Sequence, residues 1–452
     1  MTLNRLGLWL SRYRSALRFF GVALVAIAMS GCGLFEAEEE SIDVEGRRIS
    51  VLQLQQRLSA DETVSDVDVT VPEPWSNSLW PQAGGFPSHV MGNLAATDEF
   101  DLAWRQDIGA GSSRIGRITA EPVLADGRIY AMDARGVISA YDPEDGARLW
   151  RVRIVPKGER RESLGGGLAF AGGLLYAAAG YSEVVALDPK NGGLIWRTTT
   201  PAPVRTAPTV SRGQAYVVTL ENQLVAMNAD TGRVLWEHSG IPEEEGVLGA
   251  ASPAAEGSLV VVAYSSGELF ALRAENGSLA WTDNLSSVRR AGTSWRLADI
   301  RALPVIDRGQ VYAVSLADRM LAIDQPSGAR IWQRDIGSLE TPLIVGDFIY
   351  LMSVESDLVC MIRSTGQVRW IESLPRYEDP EDKEDPIIWT GPIMAGGRLI
   401  LANSNEQVFE VDPKTGDVLR QWDVPGDILV RPIVARGTLY LLTDDGDLLA
   451  YR

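Results

Sequence analysis

From about Asp101 to Arg452 the apolar residues fall in short alternating runs, broken every few positions by Gly, Pro, Asp or Asn. That is strand chemistry separated by turns rather than the 3.6-residue rhythm of helices. The runs repeat. Tyr130/Trp150, Tyr176/Trp196, Tyr216/Trp236, Tyr312/Trp332 and Tyr350/Trp370 are each separated by 20 positions, and Val261 takes the Tyr place before Trp281. A small residue stands 10 positions before each Trp (Ala140, Ala186, Ala226, Ala271, Ala322, Cys360) and a Gly stands 4 before it (Gly146, Gly192, Gly232, Gly277, Gly328, Gly366). Pro and then Gly open most units, as in Pro122/Gly127 and Pro304/Gly309. Each unit therefore predicts four short strands, and four strands at a period of roughly 40 to 50 residues make a propeller blade.

Six units end at Trp150, Trp196, Trp236, Trp281, Trp332 and Trp370. A seventh runs from Pro392, with Arg420 in the Trp position and Trp422 just beyond. The eighth carries Pro432, Gly437, Tyr440 and Ala450 but stops at Arg452, one strand short. Asp101 to Arg105, with Trp104, reads as that missing strand standing alone ahead of the first blade. Pairing it with the C-terminal strands closes the ring and removes exposed sheet edges. The expected fold is all-β: an eight-bladed β-propeller of four-stranded antiparallel blades, closed by pairing of N- and C-terminal strands.

A residue recurring in every unit serves packing between units. The Trp can lie against the next blade and donate its indole N–H, and the Gly and Asp or Asn shape turns. Gly165-Gly166-Gly167 lacks the Lys-Ser/Thr of a phosphate loop and reads as a tight start to a blade. His89 and His238 are the only histidines, one ahead of the propeller and one just after a blade-three Trp, which supports neither a His metal cluster nor a Ser-His-Asp triad.

Composition adds compartment and charge. The 42 Lys and Arg against 60 Asp and Glu give a net charge of -18, which repels nucleic acid and anionic headgroups. Residues 1–31 have the parts of an export signal: Arg5, Arg12, Arg14 and Arg18, the apolar run Phe19 to Met29, then small residues. The run is too short to span a bilayer, which takes about 20 residues. Met29-Ser30-Gly31-Cys32 resembles a bacterial lipobox, so Cys32 is the expected lipidation site, and Gly33 follows rather than a retaining Asp. Cys360 is then the only other cysteine, an inert core thiol with no partner for a disulfide. Residues 32–80, with the acidic block Glu36 to Glu40 and Pro72-Glu73-Pro74, read as an acylated tether, and 81–452 as the propeller.

The repeat resembles that of pyrroloquinoline quinone (PQQ) dehydrogenases from about Trp80 to Arg452, through its Ala-Leu-Asp and Gly-x-x-x-Trp elements. Enzymes of that family hold the quinone under a vicinal Cys-Cys disulfide and a calcium ion, and this chain has no vicinal cysteines. Lipobox, tether, blade count and strand-swapped closure together resemble the BamB family of lipoproteins. That resemblance implies a non-catalytic scaffold without cofactor or metal, held at the outer membrane by its lipid and facing the periplasm. It implies binding to the periplasmic POTRA domains of BamA, alongside the other lipoproteins of the β-barrel assembly (BAM) complex and unfolded outer-membrane clients. Its partner surface lies on the connectors into blades four and five. There Asp299 matches a family acid and Val247 an apolar contact, while Arg301 replaces a second acid and Leu248 an Arg. The alternatives are a PQQ-dependent periplasmic dehydrogenase and another propeller binding module of the envelope.

Overall fold

A computed structural model describes residues 58–156, 158–159, 165–242, 251–286 and 300–452. Eight antiparallel sheets form the blades. In blade one the strands Val123–Ala125, Arg128–Met132, Val137–Tyr141 and Arg148–Arg153 pair in chain order, innermost to outermost. Blades two to six repeat that order. Blade seven, starting at Trp389–Ala395, gains a fifth strand, because Asn93–Leu94 pairs in parallel with its inner edge. An exposed two-stranded hairpin, Tyr377–Asp379 with Glu384–Pro386, stands between blades six and seven.

The eighth blade closes the ring as expected. Ile433–Ala435, Thr438–Leu442 and Asp447–Tyr451 supply three strands and Leu102–Asp107 the fourth. Trp104 faces Ala450 in that pairing, the same register as Trp150 on Ala140. Asp101 and Arg452 tie the ends by reciprocal backbone hydrogen bonds, both 2.9 Å.

The alternation read from the sequence holds only on the outermost strands, such as Leu194–Thr199, where exposed and covered residues take turns. The two middle strands of each blade are buried on both faces; Leu175, Tyr176, Ala177 and Ala178 are all at most 1% exposed. Blades stack face to face around the axis, so a middle strand meets a neighbouring blade on each side.

Those neighbours are joined by the repeated Trp. Each indole reaches from the outermost strand of one blade to the turn between the third and fourth strands of the next. Trp150 donates to the Pro189 carbonyl at 2.9 Å, Trp196 to Ala229 at 2.9 Å, Trp281 to Gln325 at 2.7 Å and Trp332 to Arg363 at 2.8 Å. Trp104 in the closing strand does the same to Pro143 of blade one at 3.1 Å. The turn glycine sits flat on the ring. A Cβ at Gly277 would come within 2.5 Å of Trp236, and its φ of +72° is one that side chains avoid. Two independent constraints therefore demand Gly there.

Blade seven departs from the rule, and its neighbour explains why. Blade eight has no turn between its third and fourth strands, since its fourth strand, Leu102–Asp107, comes from ahead of blade one. With no turn to cover, the Trp position holds Arg420 and the small-residue position opposite it holds Glu410. Glu410, 2% exposed, accepts from Arg420 at 2.8 Å and from Arg398 at 3.3 Å. The two arginines also bind the carbonyls of Thr97 and Asp98, on the chain leading into the closing strand. An ion cluster thus replaces the indole where the ring is sewn shut.

Leu58 to Trp80, which the sequence reading places in the tether, lies against the propeller. Asp61 exchanges hydrogen bonds with Val368 on the outer strand of blade six, and Val64 and Val69 are buried. Residues 77–96 then make one circuit at the end of the axis where the first-to-second strand turns lie. Asn77 bonds Val434 and Arg436 of blade eight; Trp80 bonds Leu124 of blade one in both directions. Pro81 accepts from Phe170 of blade two, and the Gln82 amide is paired twice with Val210 of blade three. Pro87 and Ser88 accept from Ala255 and Ile306 of blades four and five, before Asn93 and Leu94 join blade seven. The circuit bonds to seven of the eight blades and plugs that end of the axis.

Removing Glu410 leaves two arginine charges facing a buried site. Glu410→Ala should cost roughly 3 kcal/mol in denaturant unfolding, whereas Glu144→Ala, which loses exposed pairs with Arg436 and Arg452, should cost under about 1 kcal/mol. Equal losses would show that the blade-seven cluster is an ordinary surface network.

Candidate functional site

Above the plug, the segments leading into the blades converge on a cup about 100 Å³ in volume. Ala83 of the plug lies at its floor, and Glu121, Gly166, Arg205, Ser252, Arg301, Glu340 and Arg431 line its walls, one segment after another around the ring. The glycine run forms one wall. Gly165 and Gly166 have φ of +103° and +93°, and a Cβ on Gly166 would fall 2.2 Å from the Ala178 carbonyl oxygen. The three glycines stand just ahead of Leu168, which takes the place of the Pro in other units, because the backbone there passes too close to its neighbours for side chains.

The polar groups of the cup are only partly matched to one another. Glu121 accepts from the Trp80 indole at 3.2 Å and the Gly84 amide at 2.9 Å, so the plug is pinned to the wall. Glu340 accepts from the Gly391 amide at 3.1 Å. Burial pushes both carboxyls above their usual range, and Arg431 opposes the shift at each. Arg431 donates to the Thr341 and Pro392 carbonyls at 3.2 and 3.0 Å, leaving its buried Nε without a partner. Arg301 makes no hydrogen bond among the described residues and acts on Glu340 through its charge. The sequence singled out Arg301 as a departure in a partner-binding loop; the structure also places it in the cup.

Asp299, Val247 and Leu248 lie outside the described residues, as does Cys32. What is described are the segments that follow the two connectors: Ala251 and Ser252 into blade four, Ile300 and Arg301 into blade five. Ser252 and Arg301 both line the cup, so the two connectors lead directly to its walls. The plug, the cup and the role of His89 were not legible in the sequence, where this stretch shows no repeat. The one available signal was the cluster of Trp75, Trp80, Phe86 and Met91 ahead of the propeller, too apolar for a solvated linker.

Cys360 is fully buried in its strand and its thiol is pushed up to about 12 by burial, which keeps it protonated and unreactive.

The chain matches the family of outer membrane protein assembly factor BamB over residues 134–372. It belongs to that family. The BamB relative of Alkalilimnicola ehrlichii is 31% identical over 363 residues, covering 80% of this chain and 90% of the relative. The crystal structure of BamB from Moraxella catarrhalis superposes with a TM-score of 0.65 at 17% identity, over 78% of this chain and all of the other. Quinohemoprotein alcohol dehydrogenase from Comamonas testosteroni shares the fold, with a TM-score of 0.62 at 13% identity over 83% of this chain and 80% of the enzyme. The residues present do not fit a quinone. Pockets that enclose a drug-sized ligand run to about 300 Å³ or more, three times the cup, and no group of His, Cys, Asp or Glu among the described residues is arranged to hold a metal ion.

His89 locks the plug beneath the cup. Its Nδ1 donates to the Pro304 carbonyl at 2.7 Å, and burial lowers its pKa from 6.5 to about 4. Because the folded pKa lies below the unfolded one, the stability is present above about pH 6.5 and is lost as pH falls towards 4. The loss should reach roughly 3 kcal/mol. Asn can keep the donor and the φ of +63°, so the stability difference between wild type and His89→Asn should shift against wild type between pH 6.5 and 4. Glu121 and Glu340 titrate in both proteins and cancel. A pH-independent difference, read from urea unfolding, would mean that His89 protonates freely in the folded protein.

Proposed function

We propose that the chain is a non-catalytic scaffold lipoprotein of the outer-membrane protein assembly machinery. It would be anchored through acylated Cys32 at the periplasmic face of the outer membrane and bind the periplasmic POTRA domains of BamA. Family membership is the observation that carries this reading, since the relatives are named as outer membrane protein assembly factors. The shape supports it. A rigid closed ring presents long connectors at one end while the plug occupies the other, and connecting loops on a rigid scaffold are where binding residues concentrate. The residues that would meet the partner are Asp299 and Val247, with Arg301 and Leu248 altering the charge pattern around them. The other lipoproteins of the complex and unfolded clients would join through the same assembly. Acyl chains on Cys32 would supply a membrane attachment that the acidic protein surface does not.

The experiment is co-purification from detergent-solubilised outer membranes, with three variants beside the wild type. Wild type should recover BamA. Asp299→Arg should recover it with roughly tenfold lower affinity, because a charge reversal at an interface can cost more than the 1.4 kcal/mol per decade. Glu275→Arg, on an exposed turn at the opposite end, should leave recovery unchanged. Cys32→Ala should leave the membrane fraction. Absence of BamA from the wild-type preparation would overturn the assembly role, and unchanged recovery with Asp299→Arg would remove that connector from the interface.

A further inference from the structure

We propose that the axial cup is a binding site for a small oxyanion, a carboxylate or a phosphate, gripped by Arg301 and Arg431 with Arg205 beside them. The first ground is charge. In a chain of net charge -18, this cup brings Arg301 and Arg431 together, with Arg205 beside them, among its described lining residues. Both glutamates already accept backbone or indole hydrogens, and among the described residues neither is hydrogen-bonded to Arg301 or Arg431.

Unmet hydrogen bonding is the second ground. Arg431 has its terminal nitrogen committed to two carbonyls while its Nε is buried without a partner. Arg301 has no hydrogen-bonding partner among the described residues. A buried guanidinium N–H left unpaired is costly, and the natural acceptor for its planar fork is a two-oxygen anion. Size is the third ground. About 100 Å³ holds a group of a few non-hydrogen atoms, and the plug at Ala83 and Gly84 closes the floor, so the anion enters from the connector end and cannot pass through.

The site is independent of the assembly role and is tested on purified full-length protein in detergent, without any partner. The probes are labelled acetate, followed by carbon NMR, and inorganic phosphate, followed by phosphorus NMR, each titrated against chloride at constant ionic strength. One or both should show saturable line broadening with a dissociation constant of about a millimolar or tighter; whichever binds identifies the source as carboxylate or phosphate. Arg301→Gln, which breaks no hydrogen bond in the described structure, should weaken that binding at least about tenfold while the circular dichroism of the folded propeller is retained. Arg431→Gln should do the same but also disturbs the two carbonyls it holds, so Arg301→Gln decides. No saturable binding of either probe up to about 50 mM, or equal binding by wild type and Arg301→Gln, would overturn the site.

Discussion

Everything in this molecule rests on the contact between a Trp on the outer strand of one blade and the Gly turn of the next. A propeller has no single core; its apolar residues form a series of interblade layers, each incomplete without the following blade. The indole supplies apolar area and one directed hydrogen bond, and the glycine supplies both a left-handed turn and room for the ring. Because every blade both gives and receives this contact, the ring is stable only when the last blade meets the first. Trp104 makes that final contact from a strand detached from its own blade. At the neighbouring seam the turn does not exist, and Glu410 with Arg398 and Arg420 takes over.

Closing the ring leaves the axis to be dealt with, because eight innermost strands present their edges there. The circuit from Asn77 to Ala96 pairs with seven of them at one end. What remains at the other is a shallow charged cup surrounded by connectors. This division explains how a fold shared with quinohemoprotein dehydrogenases serves a family of assembly factors. Plug and cup leave no room for a tricyclic quinone, and the connectors rise from a ring held together by its interblade Trp contacts.

The blade count, the strand-swapped closure and the packing role of Trp were legible because a repeat states the same constraint many times. Even the Arg420 exception could be seen, though not its cause, since Glu410 becomes meaningful only when the pairing register places it opposite. The plug was illegible for the converse reason. It occurs once, it bonds to seven different blades in turn, and no local period reports where the chain travels. The cup escaped notice because Glu121, Arg205, Arg301, Glu340 and Arg431 are scattered over 310 positions and are joined only by the ring's geometry. Alternation was overread on the middle strands, since sequence cannot tell a strand with one wet face from one between two blades when Ala and Val occupy both sides.

Ring closure is tested most directly by native-state hydrogen exchange at the seam. Chain ends ordinarily fray and exchange with almost no opening free energy. If the terminal strands complete one cooperative ring, the amides of Gln106, Leu448 and Leu449 should open with the same free energy as those in the middle strands of blades three and four. Exchange at the seam that is orders of magnitude faster than in those blades would mean that the ring stands without its closing strand, and would contradict the account.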